Sequence, residues 1–198
     1  MRESILPEMP APIFLVDTQR EFDRGVIYDG SGHRSRHPVA QFLELYSKAS
    51  QYREHVIRPH EQATYETALS QCVDFFRVLD GAGISGTVVI DEADLFSSAS
   101  GTVEPIRNMV FRGRHYSQHL IFTAKRTTTI SKNVLSASHC VVSFQQRMGA
   151  DVKRLDQMYS VGAKVQDLGT HEFVVAGDRV EEMPFHETLS SAPEHVNQ

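Results

Sequence analysis

Two adjacent carboxylates, Asp91 and Glu92, follow directly on the run Thr87-Val88-Val89-Ile90. That run is β-branched and apolar, the pattern of a strand buried on both faces, as in a parallel α/β sheet. Open sheets of this kind place their ligands at the carboxyl ends of the strands. A buried strand has no packing reason to deliver two acids to its tip, because desolvating even one carboxylate costs several kcal/mol unless something compensates it. A hydrated Mg²⁺ near Asp91 would supply that compensation, leaving Glu92 to polarise a water for attack on a phosphoryl group. The competing reading is a strand that exits into a solvated acidic turn, and motifs this short do recur by chance.

Other residues with chemical potential carry weaker signals. His115 and His119 are four apart, but Tyr116-Ser117-Gln118 between them lacks the Glu of a zinc-protease motif, and the pair straddles the end of a helical pattern. Solvated or capping histidines fit better than metal ligands. Cys72 and Cys140 each sit inside an apolar run and read as small core residues, so no disulfide framework is expected. No Ser-His-Asp order and no catalytic cysteine setting stands out. Asp91-Glu92-Ala93-Asp94 spells the acidic box of DEAD-type RNA helicases. The Ser-Ala-Thr expected on the following strand is replaced by Thr123-Ala124-Lys125, which makes a helicase fragment a distant third reading.

The elements that must position Asp91 and Glu92 alternate along the chain. Strands are predicted at Ile13–Asp17, Val26–Tyr28, His55–Arg58, Thr87–Ile90, His119–Thr123, Cys140–Phe144 and Glu172–Ala176, the last closing the sheet. Pro38 suits the first turn of a helix whose apolar positions are Val39, Phe42, Leu43, Tyr46 and Ala49. A second helix spans about 62–80 with Tyr65, Leu69, Cys72, Val73, Phe76 and Leu79 on one face, ended by Gly81 and Gly83. A third covers about 102–115 with Ile106, Met109 and Val110 inward and a basic end, and shorter ones follow at 130–137, 151–159 and 161–168. Asp29-Gly30-Ser31-Gly32 is turn chemistry. The alternation predicts an α/β fold, a mostly parallel sheet with helices on both faces, with Asp17, Asp91, Thr123 and Phe144 at one edge. One domain over residues 1–189 and a polar tail over 190–198 are expected.

Composition narrows the function. A net charge of −5 and a pI near 6.0 argue against a protein that coats nucleic acid by bulk electrostatics, though not against a local basic patch. No apolar run approaches the ~20 residues that span a bilayer, and the first dozen residues lack a signal peptide's basic start and apolar core. A cytoplasmic protein is expected, in a host cytoplasm or associated with a virion if the chain is viral.

In order and spacing, V-V-I-D-E-A-D-L-F, R-G-R-H-Y-S-Q-H-L-I-F-T-A-K-R and I-S-K-N-V-L-S-A-S-H-C-V-V-S-F resemble the HerA/FtsK branch of P-loop ATPases, which includes DNA-pumping motors and viral genome-packaging ATPases. The resemblance extends to I-F-L-V-D-T-Q-R-E-F, D-V-K-R-L and D-L-G-T-H-E-F-V-V-A-G, and so covers most of 13–178. It implies a RecA-like core of the ASCE class and ATP with Mg²⁺ as ligands. Asp91, as the Walker B aspartate, would hold the metal through water, and Glu92 would activate the attacking water. Lys125-Arg126 stands where the family usually has a Gln before an Arg, and Lys125 could still contact phosphate as a point charge. Arg112 or Arg114 resembles the arginines such motors present to a neighbouring subunit's nucleotide, although cations also suit a helix C-terminus. The implied partners are double-stranded DNA, further copies of the chain in a ring, and capsid or portal proteins.

The departure from the family is that no G-x-x-x-x-G-K-[S/T] occurs in the sequence. The resemblance places that loop before the helix preceding Ile13–Asp17, so the first strand and phosphate loop are expected to be absent from this chain. The leading expectation is an ATP-hydrolysing motor of the packaging type. Its alternative is a structural or regulatory relative that keeps the fold without catalysis.

Overall fold

The computed structural model describes residues 6–29, 37–61, 63–170 and 172–178. The expected turn at Asp29–Gly32 lies mostly outside them, and the expected tail wholly so. The chain forms two compact units. The first takes in Pro10–Ser97 and Thr102–Lys125; the described part of the second is 6–9, 98–101, 126–170 and 172–178.

The first unit carries a five-stranded parallel sheet flanked by helices, the α/β fold that the alternation predicts. Its strands are β1 (Ile13–Val16), β2 (Val26–Tyr28), β3 (Glu54–Ile57), β4 (Gly86–Ile90) and β7 (Gln118–Phe122), in the order β2-β3-β1-β4-β7. Between β4 and β7 the short strands β5 (Ser97–Ser98) and β6 (Gly101–Thr102) pair with each other. All residues of β1 and β4 are buried, as continuous apolar runs in the middle of a covered sheet should be. Val16 lies opposite Ile57 on one side and Ile90 on the other, and Ile90 lies opposite Phe122. Asp17, Arg58, Asp91 and Thr123, each one residue further on, therefore leave the sheet at a common edge. At the other end Gly86, with φ +125°, lets β4 approach β1: a Cβ there would stand 2.3 Å from the Pro12 carbonyl oxygen.

Helix α1 (Pro38–Ala49) opens with proline in its first turn and buries Val39, Phe42 and Ala49. Helix α2 (Tyr65–Ala82) is capped by Thr64, whose hydroxyl accepts the Thr67 N–H at 3.3 Å, and stops at Gly83 in the left-handed region. Phe14, Phe42 and Phe75 meet in the core with ring centroids 5.1 to 6.3 Å apart. Each buried phenylalanine of this kind contributes about 1.5–3 kcal/mol of transfer free energy. The face expected for α2 is partly corrected: Tyr65 is 64% exposed, while Phe75 is fully buried. The inward stripe is Cys72, Phe75, Phe76 and Leu79, and Tyr65, as the first helical residue, projects past it. Gly81 lies inside the helix rather than ending it. Helix α3 (Glu104–Arg112) is shorter than expected, because the chain tightens into a 3-10 turn over Gly113–Tyr116.

In the second unit, β8 (Val141–Phe144) and β9 (Phe173–Ala176) pair antiparallel as a sheet of their own. The expectation that Glu172–Ala176 closes the parallel sheet is not met. Val141 and Val142 are only half-buried, so β8 lacks the two-sided cover of a parallel strand, and one covered face suits an antiparallel pair. Phe144, expected at the edge shared by Asp17, Asp91 and Thr123, ends a strand of this separate sheet instead. Helices α4 (Lys132–Ala137), α5 (Gly149–Tyr159) and α6 (Gly162–Asp167) complete the unit. Leu155, Val161, Val165, Leu168, Val174 and Ala176 form its core.

Candidate functional site

At the carboxyl edge of the parallel sheet, Thr123 stitches the tips of β4 and β7 together. Its N–H donates to the Ile90 carbonyl at 3.1 Å, and its own carbonyl accepts the Ala93 N–H at 2.8 Å. Its hydroxyl accepts the Glu92 N–H at 3.1 Å and donates to Asp91 Oδ1 in a short hydrogen bond. These contacts hold Glu92 at φ 50°, ψ 49°, a left-handed conformation that a residue with a Cβ seldom adopts and that is enriched at functional sites. The backbone reversal aims the Glu92 side chain back toward the loop that follows β1.

Both oxygens of Glu92 are engaged. Oε1 accepts Lys125 Nζ at 2.5 Å; Oε2 accepts Gln19 Nε2 at 2.5 Å and the Thr18 hydroxyl at 3.3 Å. The Lys125 hydrogen bond, reinforced by its charge and by the Gln19 and Thr18 donors, outweighs burial and holds the Glu92 carboxyl below the usual glutamate range. Glu92 in turn pushes the Lys125 ammonium up. The Glu92 side chain is 15% exposed and that of Lys125 75%. One oxygen of Asp91 is tied to Thr123.

The other acid of the shared edge behaves differently. Asp17 is fully buried and accepts the N–H groups of Glu21 and Phe22 at 3.0 and 3.2 Å. Arg58 Nε donates to its Oδ2 at 2.8 Å, and Arg58 Nη2 reaches the Phe22 carbonyl. Arg20 donates to the Pro59 carbonyl at 2.9 Å. The loop so pinned borders a cleft of about 230 Å³ lined by Thr18, Gln19, Arg20, His60 and Leu95 among others.

Of the residues singled out from the sequence, the fold brings together Asp91, Glu92 and Lys125. Arg112 is turned to Asp80 at the end of α2, its Nη2 donating to both carboxylate oxygens at 3.0 and 3.1 Å. Arg114 lies on the 3-10 turn, and its side chain falls outside the described residues. Arg126 belongs to the second unit, where its Nε donates to the buried Asp151 at 3.0 Å. Asp151 also accepts the Thr127 hydroxyl and both the N–H and the hydroxyl of Thr128. Burial works to raise its pKa, yet the Thr128 and Arg126 donors outweigh that and hold it below the ordinary aspartate range. Thr18 and Gln19 were not singled out from the sequence as partners of Glu92; their one signal was position, directly after a strand that ends in acid.

Among the described residues no group of three or more His, Cys, Asp or Glu could cage a metal. The donors at the tip are hard oxygens, one carboxylate and a neighbouring hydroxyl. That set suits a Mg²⁺ that keeps most of its waters and takes its other ligands from phosphate.

No family model matches the sequence, and no curated protein does either. Solved structures do match in fold. The genome packaging NTPase B204 from Sulfolobus turreted icosahedral virus 2, in complex with AMPPCP, superposes with a TM-score of 0.62 at 15% identity, over 88% of this chain and 82% of that one. The same NTPase with ATP-gammaS gives 0.58 at 14% identity, over 88% and 77%. B204, the DNA-packaging ATPase from Sulfolobus Turreted Icosahedral Virus, gives 0.56 at 16% identity, over 83% and 77%. At these identities the likeness is one of fold.

Proposed function

We propose that this chain is the ATP-hydrolysing core of a motor that packages double-stranded DNA into a viral capsid. The observation that supports it best is the trio Asp91, Glu92 and Lys125 at the carboxyl edge of a parallel sheet whose fold matches packaging NTPases. Glu92 takes the proton of a water as its oxygen attacks the γ-phosphorus of ATP, and ADP departs with the bridging oxygen's electron pair. Asp91, oriented by the Thr123 hydroxyl, would hold Mg²⁺ through water. When bound, that ion supplies positive charge to the phosphate oxygens. Lys125 leaves Glu92 for the γ-phosphate, which exchanges one anionic partner for another. Arg112 and Arg114 are the cations offered to a neighbouring copy's nucleotide, Arg112 by leaving Asp80, in a ring of copies that docks on capsid or portal proteins, whereas Arg126 is engaged by Asp151 within its own unit.

A test is ATP binding and phosphate release by the 198-residue chain with Mg²⁺ and DNA, beside Glu92→Gln and Asp91→Asn. Glu92→Gln should retain binding and lose about 10²–10⁴ in rate, because the amide keeps the shape but cannot serve as a base. Asp91→Asn should weaken Mg²⁺-dependent binding instead. Equal effects of the two changes on binding would contradict these roles. The absence of G-x-x-x-x-G-K-[S/T] from the sequence favours a second reading, a structural or regulatory relative without turnover. A wild-type chain that neither binds nor hydrolyses ATP, with or without DNA, would select it.

A further inference from the structure

We propose that Arg154, on the buried side of α5 in the second unit, is the receptor of a site for a compact tetrahedral oxyanion, inorganic phosphate. The site is independent of Glu92 and needs no ATP turnover. Arg154 is 9% exposed, and its Nε and Nη2 are buried with no hydrogen-bond partner among the described residues. Arginine keeps its charge in proteins, so burial cannot be relieved by loss of a proton. A charge withdrawn from water without compensation is costly, and a buried donor without a partner calls for an anion to meet it.

The acids nearest in sequence do not supply one. Asp151, three residues earlier on α5 and fully buried, is engaged by Arg126, Thr127 and Thr128. Asp156, two residues later, is exposed and accepts the Gly162 N–H at 3.1 Å. A second cation is sealed in the same unit. Lys164 Nζ, on the α6 helix that packs against α5, is buried and also without a partner among the described residues. The unit therefore buries more positive charge than its one sealed carboxylate balances.

The unmatched atoms point to the kind of anion. Nε–H and Nη2–H lie along one edge of the guanidinium and point the same way, the pair that grips two oxygens of a single anion. Carboxylate and phosphate both fit that edge. A carboxylate spends both its oxygens there, whereas a phosphate keeps others for water or a further donor. So little of the side chain reaches solvent that a small free ion can approach it, but a phosphodiester flanked by two sugars cannot. Inorganic phosphate meets both conditions.

The test combines urea unfolding with calorimetric titration of the full chain, in chloride and in inorganic phosphate at equal ionic strength, for wild type, Arg154→Met and Arg154→Lys. In chloride, Arg154→Met should unfold at higher urea than wild type, because an apolar side chain replaces an uncompensated charge. Phosphate should raise the wild-type midpoint more than that of Arg154→Met, since only the former gains a bound ligand. Arg154→Lys keeps the charge without the fork and should bind phosphate about tenfold more weakly or worse. Equal stabilisation of wild type and Arg154→Met would be a general effect of the salt and would overturn the proposal. An Arg154→Met chain less stable than wild type in chloride, or one that fails to fold, would do the same. Equal phosphate affinities of wild type and Arg154→Lys would remove the fork from the argument and sink the site as drawn. Acetate, the carboxylate probe, should stabilise wild type less than phosphate does, and the reverse order would rule out phosphate as the ligand.

Discussion

The tips of β1 and β4 are neighbours in one sheet, and both end in acid, but they spend that acid in opposite ways. Asp17 at the β1 tip is fully buried, and its partner Arg58 is 13% exposed. The guanidinium fork satisfies the carboxylate and a backbone carbonyl at once, which seals the loop. Glu92 at the β4 tip meets an ammonium whose stem lies in solvent, together with two neutral donors. An acid closed off by arginine is spent on structure. An acid whose cation sits at the rim can exchange that cation for a ligand, and only this second arrangement can do chemistry.

The largest expected effect tests the first half of that contrast. Arg58→Met takes the cation away from buried Asp17, leaving its backbone N–H donors, and removes a donor to the Phe22 carbonyl, and breaking a buried pair from one side costs about 3–5 kcal/mol. Urea unfolding of the full chain measures it. A loss comparable to that of an exposed-pair variant would break the comparison.

The second unit holds another fully buried acid, Asp151, whose arginine partner is 44% exposed and which is held as well by two threonines. Asp151→Ala removes the shared acceptor of Arg126, Thr127 and Thr128, and leaving such donors unpaired costs about 1–3 kcal/mol. Hydrogen exchange at the Thr128 amide, which now donates to Asp151 at 2.8 Å, should speed up along with it. Because the folded carboxyl lies below its ordinary value of 3.8, this stability is present above that pH and is lost as pH falls through the folded value. Asp151→Ala should therefore be less sensitive to acid than wild type in that range.

The sheet was legible because β1 and β4 are continuous apolar runs, and only a two-sided parallel strand explains them. Asp91 and Glu92 were legible for the complementary reason, that acids at a buried tip demand a partner. What the sequence hid was which partner. Nothing in Thr18-Gln19 marks them as facing Glu92, because that contact depends on a loop conformation set by Arg58, a residue read only as the end of another strand. The β8–β9 pair was misplaced because Cys140–Phe144 and Glu172–Ala176 look as apolar as the parallel strands, and the one-sided cover that separates them exists only after folding. His55 was read as an ordinary strand residue, yet it is buried among Phe14, Tyr28 and Tyr46.

That histidine gives the next prediction. Its Nε2 lies 3.0 Å from the Tyr52 carbonyl, which can only accept, so Nε2 carries the proton and Nδ1 accepts the Tyr28 hydroxyl at 3.0 Å. Burial lowers its pKa below 6.5, with the Tyr52 carbonyl working the other way. The unfolded chain therefore takes up a proton near pH 6.5 that the folded chain refuses until lower pH. The contribution of His55 is complete above 6.5 and declines as pH falls below it. The stability difference between wild type and His55→Gln should narrow over that descent, and a difference independent of pH would show that His55 does not titrate as a buried neutral ring.

The smallest effect on stability belongs to Lys125, and it is the sharpest test of the open arrangement. Lys125→Met removes an ammonium that is mostly in water, and exposed pairs of this kind contribute little because solvent screens them and the side chain loses entropy to make them. The urea midpoint should not move measurably. The Glu92 carboxyl, however, should titrate at higher pH, since the Lys125 hydrogen bond is the largest influence holding it down. In wild type the depressed Glu92 remains charged to lower pH than in the variant, so the two proteins should differ in Glu92 charge only on the acid side. The contrast with Arg58→Met is then complete: one cation whose loss unfolds a loop without touching Glu92 directly, and one whose loss retunes Glu92 and leaves the fold alone. A Lys125→Met chain that unfolds as readily as Arg58→Met would mean that the β4 tip is sealed as well, and that Glu92 is not available as a base.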